Sequence, residues 1–364
     1  MKKSLIALAA GAATSAFAQS TVTLSGVMDV GVVYSSNADA GSAKLGLNRG
    51  NNNTISFAGV EDLGGGMAAT FRAAMRFEPT TGTAEAGGAR PLFQAESRVG
   101  LRGGFGHIRL GRGLTALQAP NGSALDPWVV TTVASSVYAP GYWTDYVAGG
   151  EGRTDGIFYD TPNFSGLSGS VTLSPRKATL TPAPVAPALT SGTYGSKSFY
   201  SLALSYGNGP IVGLVGYEQN RFGDSLLNIG GNYDLGAAKL YVGYGVVKGG
   251  AAIDRPATTP GASPLPAGAK NTALSLGATI PFGAAKVLVG YSSFKQPTAA
   301  QVAAGTATKT DTKLGLGVNY ALSKRTAIYS NVASTSRNNN PANPNPRTND
   351  SRVTAFDLGI SHSF

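Results

Sequence analysis

The sequence predicts an all-β fold, a sixteen-stranded antiparallel transmembrane β-barrel with short turns at one end and long loops at the other. Three observations lead there. Segment after segment alternates with a period of two, which is the period of a strand, because successive side chains leave opposite faces of a sheet. The apolar face is the fuller one, while the polar face collects arginines, as expected where oil lies outside and water within. The connections alternate between tight turns and long stretches rich in Gly, Pro, Asn, Ala and Thr.

The stretch 61–78, EDLGGGMAATFRAAMRFE, holds all three features. Asp62 and Gly64 to Gly66 make a turn. Met67, Ala69, Phe71, Ala73, Met75 and Phe77 then form one face, and Thr70, Arg72, Arg76 and Glu78 belong to the other.

Composition narrows the choice. Gly is 50 of 364 residues, about twice the usual share, and charged residues are 13%, about half of it. Such a chain suits short strands joined by turns and does not suit a helical or a charged disordered protein. With no cysteine there is neither a disulfide framework nor a thiolate metal site. The net charge is +10, yet no Lys/Arg run exceeds two residues and no aromatic–basic stacking motif is present, so nucleic acid is not an expected partner.

Residues 1–18 read as a cleaved export signal. Lys2 and Lys3 precede the apolar run from Leu5 to Ala13, and Ala16-Phe17-Ala18 is a small-x-small cleavage site. The run is too short to span a bilayer. Residues 19–364 then form a single barrel domain. No other stretch approaches 18 consecutive apolar residues, and an exported chain without spanning helices can still sit in a membrane as a closed barrel.

The first strand carries Val22, Leu24, Met28, Val30, Val32 and Tyr34 on one face, with Asp29 on the other. Ile55, Phe57 and Gly59 mark the second strand, and Met67 to Phe77 the third. In the fourth, Gln94, Glu96, Arg98 and Arg102 oppose Ala95, Val99 and Leu101. In the fifth, His107 and Arg109 oppose Ile108 and Leu110. Ten of the remaining strands pair around the tight turns near Asn163, Asn208, Gly236, Phe282 and Ser323. The last carries Phe356, Leu358, Ile360 and Phe364, with Asp357 and Ser361 opposite. Long loops are expected around 37–51, 80–91, 114–150, 177–196, 249–269, 296–308 and 336–350, and a short connection near Gly223 is the exception. Tyr34, Tyr206, Tyr217, Tyr233, Tyr244, Tyr291 and Tyr320 gather near the ends of the apolar faces. They suit an interfacial girdle, although strand propensity alone also favours tyrosine.

Six pieces in order resemble the trimeric general porins of Gram-negative outer membranes, specifically the β-proteobacterial group. They are TVTLSGVMDVGV at 21–32, GVEDLGGGMAATF at 59–71, ESRVGLRGGFGHIRLGR at 96–112, FYDTPNFSGLSG at 158–169, VNYALSKRTAIY at 318–329 and DLGISHSF at 357–364. The resemblance implies a homotrimer in the cell outer membrane, among its lipid and lipopolysaccharide. It also implies short periplasmic turns, long extracellular loops and a water-filled bore in each subunit for passive diffusion of small solutes and ions. It implies a third loop, about 114–150, folded into the barrel, and a second loop, 80–91, at the trimer contact. It implies that the terminal Phe364 addresses the barrel-assembly machinery. No cofactor, metal or enzymatic role is implied.

The expected constriction sets wall charges against loop charges. Arg72, Arg76, Arg98 and Arg109 fall on the polar face by alternation. An Arg on the lipid face near mid-membrane would cost about 2–4 kcal/mol, so they share a wetted wall. Arg112 would point outward by strict alternation, and a glycine bulge at Gly111 or Gly113 would return it to the lumen. Glu96, Asp126 and Asp145 are the acids expected to screen these arginines. A narrow basic pore should prefer anions, whereas full balancing by the carboxylates would leave weak selectivity. Trp128 and Trp143, both in the third loop, are expected to pack it against the wall.

Two rival functions remain at this level. A substrate-specific channel would use an aromatic slide, for which Tyr138, Tyr142 and Trp143 are the candidates. A barrel-embedded hydrolase would need a positioned base, and His107 and His362 have no nucleophile–acid partners in a recognisable array. The leader assignment predicts that intact-mass measurement of protein from the outer membrane finds a chain starting at Gln19. A chain retaining Met1 would refute it.

Overall fold

A computed structural model of the chain describes residues 21–36, 44–85, 87, 88, 90–129, 132–135, 152–174, 198–220, 223–249, 270–295, 310–336 and 352–364. The expected leader, Asp145, Tyr138, Tyr142 and Trp143 lie outside the described residues. The early strands are β1 (Thr21–Ser35), β2 (Leu45–Asn48), β3 (Thr54–Gly64), β4 (Met67–Arg76), β5 (Glu96–Gly103) and β6 (Gly106–Leu114). A short helix, α1 (Gln118–Leu125), follows. Then come β7 (Arg153–Asp160), β8 (Leu167–Ser174), β9 (Phe199–Asn208), β10 (Ile211–Gln219), β11 (Ser225–Asp234) and β12 (Lys239–Lys248). The last five are β13 (Lys270–Phe282), β14 (Ala285–Lys295), β15 (Thr310–Ala321), β16 (Thr326–Ser336) and β17 (Arg352–Ser363).

The strands form one antiparallel sheet closed on itself, because β1 pairs with β17 as well as with its sequence neighbours. Closure leaves no strand edge to present unpaired amides to hydrocarbon. Seventeen strands fill sixteen places in the ring, since β2 and β3 share one. β3 pairs with the first half of β1, from Thr21↔Val60 to Val27↔Thr54, and β2 pairs with the second half, from Gly31↔Asn48 to Tyr34↔Leu45. The stretch 37–51, expected as loop throughout, therefore contains a strand. Its four residues were too few to show a period.

The break between β2 and β3 is bonded rather than open. Asp29, buried in β1, accepts from the Gly50 amide at 2.7 Å and the Tyr329 hydroxyl at 2.7 Å. Asn53 donates its side-chain amide to the Asp29 carbonyl at 3.1 Å. A buried carboxylate with charge-assisted partners on both flanks thus staples the place where the ladder is interrupted.

The parity is inside out. Leu24, Phe71, Val99, Leu110, Val242, Leu276, Leu316 and Leu358 are exposed on the outer face, while Ser201, Asn228, Asn271 and Ser275 are buried within. Among the described residues no helix is long and apolar enough to cross a membrane, so any crossing is made by strands. Tyr34 and Tyr244 stand exposed toward the loop end, and Tyr206, Tyr233 and Tyr320 toward the turn end, as two girdles require.

The third loop enters the barrel and runs along the inner wall. It rests in a track of glycines, each marking a place where a Cβ would collide with the loop. A Cβ at Gly216 would lie 2.3 Å from the Leu117 side chain, at Gly230 2.7 Å from Leu125, and at Gly277 2.5 Å from Pro127. At Gly290 it would lie 2.6 Å from the Trp128 ring. Trp128 is buried, and its indole Nε1 donates to Asn331 Oδ1 at 2.8 Å. Beyond it, the Val133 amide donates to Asp357 Oδ2 at 2.9 Å, and Lys313 Nζ donates to the Ser135 carbonyl at 2.7 Å. Trp128 therefore packs the loop to the wall, as expected for a large aromatic there.

The second loop folds back on its own barrel. Phe77 bridges to Ala84, and Glu85 is buried between Arg49 Nη2 at 3.0 Å and Arg76 Nη1 at 3.3 Å, with Gln94 Nε2 donating at 2.5 Å. Burial alone would raise the Glu85 carboxyl, but Arg76 and then Arg49 outweigh it and hold it below its ordinary value.

Two outcomes follow from these anchors. Gly290→Leu should unseat Trp128, adding open-channel noise and changing mean conductance in planar bilayers while the far-ultraviolet dichroism of the strands stays the same. Quiet wild-type traces would refute the track. For Glu85 the folded-state pKa is depressed, so its stabilisation is full above the unfolded carboxylate range and is lost as pH falls through the folded value. Limited proteolysis within 77–94 should hence stay at its neutral level down to about pH 4.5 and rise only below it. A rise between pH 7 and 5 would refute this.

Candidate functional site

The polar faces of β4 to β7 form a lattice whose rungs can be read from the register. On one rung Arg72 of β4 lies directly opposite Arg98 of β5, and Gly111 of β6 and Gly156 of β7 continue it. The next rung toward the turns holds Thr70, Gly100, Arg109 and Phe158. The one after holds Ala68, Arg102, His107 and Asp160. Four arginines and a histidine thus share one inward patch, placed there by alternation alone.

Like charges facing each other across a ladder destabilise it. Glu96 resolves the Arg72–Arg98 pair by bridging both, with Oε2 at 2.9 Å from Arg72 Nε and Oε1 at 3.1 Å from Arg98 Nη2. Arg109 pairs with Asp160, which also accepts from Ser170 at 2.9 Å. Arg76 lies further toward the loops, paired with Glu85. Arg72 is more open to water than its ion-paired neighbours, its side chain 49% exposed against 14% for Arg98 and 15% for Arg109, and Arg102 nearer the turns is exposed as well.

Neighbours that carry no charge set the guanidinium positions. A Cβ at Gly100 would lie 2.7 Å from Arg109 Cγ, and one at Gly113 would lie 2.8 Å from Arg98 Nη1, so these glycines make room for the two side chains. Phe158, buried on β7, has Arg98 at 6.0 Å and Arg109 at 5.8 Å from its ring centroid. One aromatic ring therefore sits within cation–π range of both charges. His107 Nε2 is bonded to Thr70 Oγ1 at 3.0 Å, and His362 Nδ1 to Thr326 Oγ1 at 2.9 Å.

Three expectations are changed in detail. Asp126 does not line the bore. It is fully buried within the third loop itself, where Oδ1 accepts from the Trp128 amide at 3.0 Å. The cause is local, since an aspartate two residues before an amide caps the turn that ends α1. Arg112 shares the rung of Ser97 and Asp155, and residues 107–114 pair one for one with β7, so the bulge expected near Gly111 is not present as an extra residue. Gly111 has a φ of +126°, and Arg112 Nε donates to the Gln94 carbonyl at 2.8 Å. The acids found against the arginines are Glu96, Asp160 and Glu85, of which only Glu96 was singled out from sequence. Asp160 was legible, because it alternates with Tyr159 onto the polar face. Phe158 shares a strand with Ile157 and Tyr159 and was hidden by its apolar character.

By strand order this wall stands across the ring from β12 to β14, and Pro127 and Trp128 of the third loop lie against Gly277 of β13 and Gly290 of β14. Among the described residues no group of three or more His, Asp or Glu gathers as a metal site.

Comparison with known proteins agrees with this architecture. A family model described as Gram-negative porin matches residues 4–340. Outer membrane porin protein 32 of Delftia acidovorans is 32% identical over 261 residues, 66% of this chain and 68% of that protein. Major outer membrane protein P.IB of Neisseria meningitidis serogroup B is 36% identical over 177 residues, 47% of this chain and 49% of that one. Among solved structures, an anion-selective porin from Comamonas acidovorans superposes with a TM-score of 0.72 at 24% identity, covering 95% of this chain and all of that one. With the closed barrel, the inward loop and the matched family model in hand, this chain belongs to the Gram-negative porins.

Proposed function

We propose that this outer-membrane porin lets small hydrophilic solutes and ions diffuse passively and prefers anions, with Arg72, Arg98 and Arg109 as the residues that set the preference. Porins are channels and not enzymes, so the hydrolase reading is dropped. The carrying observation is the Arg72–Arg98 rung with Arg109 one rung below, on the wall opposite the third loop. Guanidinium stays charged at every working pH and offers planar donors to carboxylates and phosphates. In a narrow low-dielectric lumen such a surface concentrates anions.

Pairing moderates the effect. Glu96 and Asp160 each neutralise part of the patch, leaving Arg72, far more exposed than Arg98 and Arg109, as the main contact for a passing ion on its rung. Arg76 contributes from the loop side, whereas Arg112 keeps the outward parity of Ser97 and is not counted among the lumen charges. A relative whose name declares anion selectivity shares the fold, which agrees with this assignment. The same reading takes the chain as a homotrimer among outer-membrane lipid and lipopolysaccharide, assembled through a signal ending in Phe364. Phe364 pairs with Gly26 of β1 through two backbone hydrogen bonds, at 3.0 and 3.1 Å.

Reversal potentials across a potassium chloride gradient decide the matter. Wild type should show chloride over potassium. Arg72→Glu should lower the permeability ratio severalfold, because it removes one charge and adds its opposite at a well-exposed position of the wall. Glu96→Gln should raise the ratio. Cation preference in wild type, or no change on Arg72→Glu, would overturn the assignment.

A further inference from the structure

The outer face of the barrel carries a second charged feature, away from the bore. Lys248 ends β12, Lys270 begins β13 and Lys295 ends β14, and all three are exposed. They are on the outward parity, in the same columns as Val242 and Tyr244, Leu276, and Val289. Lys248 and Lys270 face each other on one rung, and Lys295 pairs with Thr272, one outward rung below. Directly opposed residues have Cβ atoms about 5 Å apart and diagonal neighbours about 7–8 Å, so the three ammonium groups can converge on one site.

Nothing on this face offsets them. The outward positions of β10 to β15 contain no Asp or Glu. Among the described residues none of the three lysines has an ion-pair partner. The adjoining loop sequences add little acid. Residues 249–269 contain Asp254 beside Arg255, and 296–309 contain Lys309 and no acid. A rung of two opposed lysines costs stability unless an anion lies between them. Below the lysines the same columns are apolar and exposed, with Val242 at 50%, Leu276 at 46% and Val289 at 41%.

An occupant of this surface must therefore carry negative charge level with the lysines and hydrocarbon level with the band beneath. We infer that Lys248, Lys270 and Lys295 form a binding site for the phosphorylated head group of a lipid in the leaflet on the loop side. A phosphate offers acceptor oxygens to several ammonium groups at once, and its acyl chains lie along the exposed columns. The lipid would be held tightly enough to travel with the protein, as part of its outer surface. This deepens the reading of the chain as an outer-membrane porin and rests on it.

The test uses full-length protein refolded in a non-ionic detergent and titrated with phosphatidic acid, phosphatidylcholine or inorganic phosphate, with bound lipid counted by native mass spectrometry. Phosphatidic acid should bind in preference to phosphatidylcholine. The triple variant Lys248→Gln, Lys270→Gln, Lys295→Gln should lose that preference by about tenfold or more while its single-channel conductance stays at the wild-type value. Equal binding of phosphatidic acid to the variant would refute the site. Displacement of the lipid by an equimolar amount of inorganic phosphate would also refute it, as a site for free anions only. Absence of conductance in the wild type would instead count against the channel reading, whatever the lipid result.

Discussion

Every amide and carbonyl of this chain that meets hydrocarbon has to be bonded within the chain, because the surroundings offer no partner. That constraint closes the sheet. Once β1 meets β17, the ring has an inside and an outside, and each side chain's parity settles which one it faces. The interruption between β2 and β3 is the place where the ladder fails to supply its own bonds. There the carboxylate of Asp29 and the amide of Asn53 stand in for backbone partners.

The inward loop is a consequence of closure and of glycine together. A ring of this size encloses more space than wall side chains can fill. The wall on β10 to β15 is cut back to hydrogen at Gly216, Gly230, Gly277, Gly290, Gly315 and Gly317, and the loop presses Leu117, Leu125, Pro127 and Trp128 into the gaps. Polar wall residues then bond the loop backbone: Thr172 accepts from the Ala116 amide, Ser201 from Leu117 and Asp357 from Val133. The described part of the loop is thus held at several points between Ala116 and Ser135.

Charge is arranged by the same geometry. Arg72 and Arg98 are neighbours because of register, and Glu96 lies close enough to bridge them because it is two residues from Arg98 on the same strand face. Gly100, Gly113 and Phe158 shape the space in which the guanidiniums lie. The basic wall is accordingly a partly neutralised surface, on which Arg72 and Arg102 are the exposed charges. On the outer face the lysines at the strand ends keep to the interfacial level, where a charge costs far less than at the midplane.

The sequence by itself determined the strand period, the alternation of turns and loops, the number of places in the ring and the face on which Arg72, Arg76, Arg98 and Arg109 lie. These follow from spacing along the chain, and a period of two leaves each side chain only two faces to choose between. The polar-face position of Asp160 was open to the same reading. The tertiary structure alone decided which acid meets which arginine, since Arg109 and Asp160 are 51 residues apart and come together only through the β6–β7 register. It also decided that Asp126 is buried within the loop against the Trp128 amide, that β2 and β3 divide one place, and that the inward glycines form a track. Each of these depends on what lies across the ring or against the wall, and neither neighbour is encoded in local spacing.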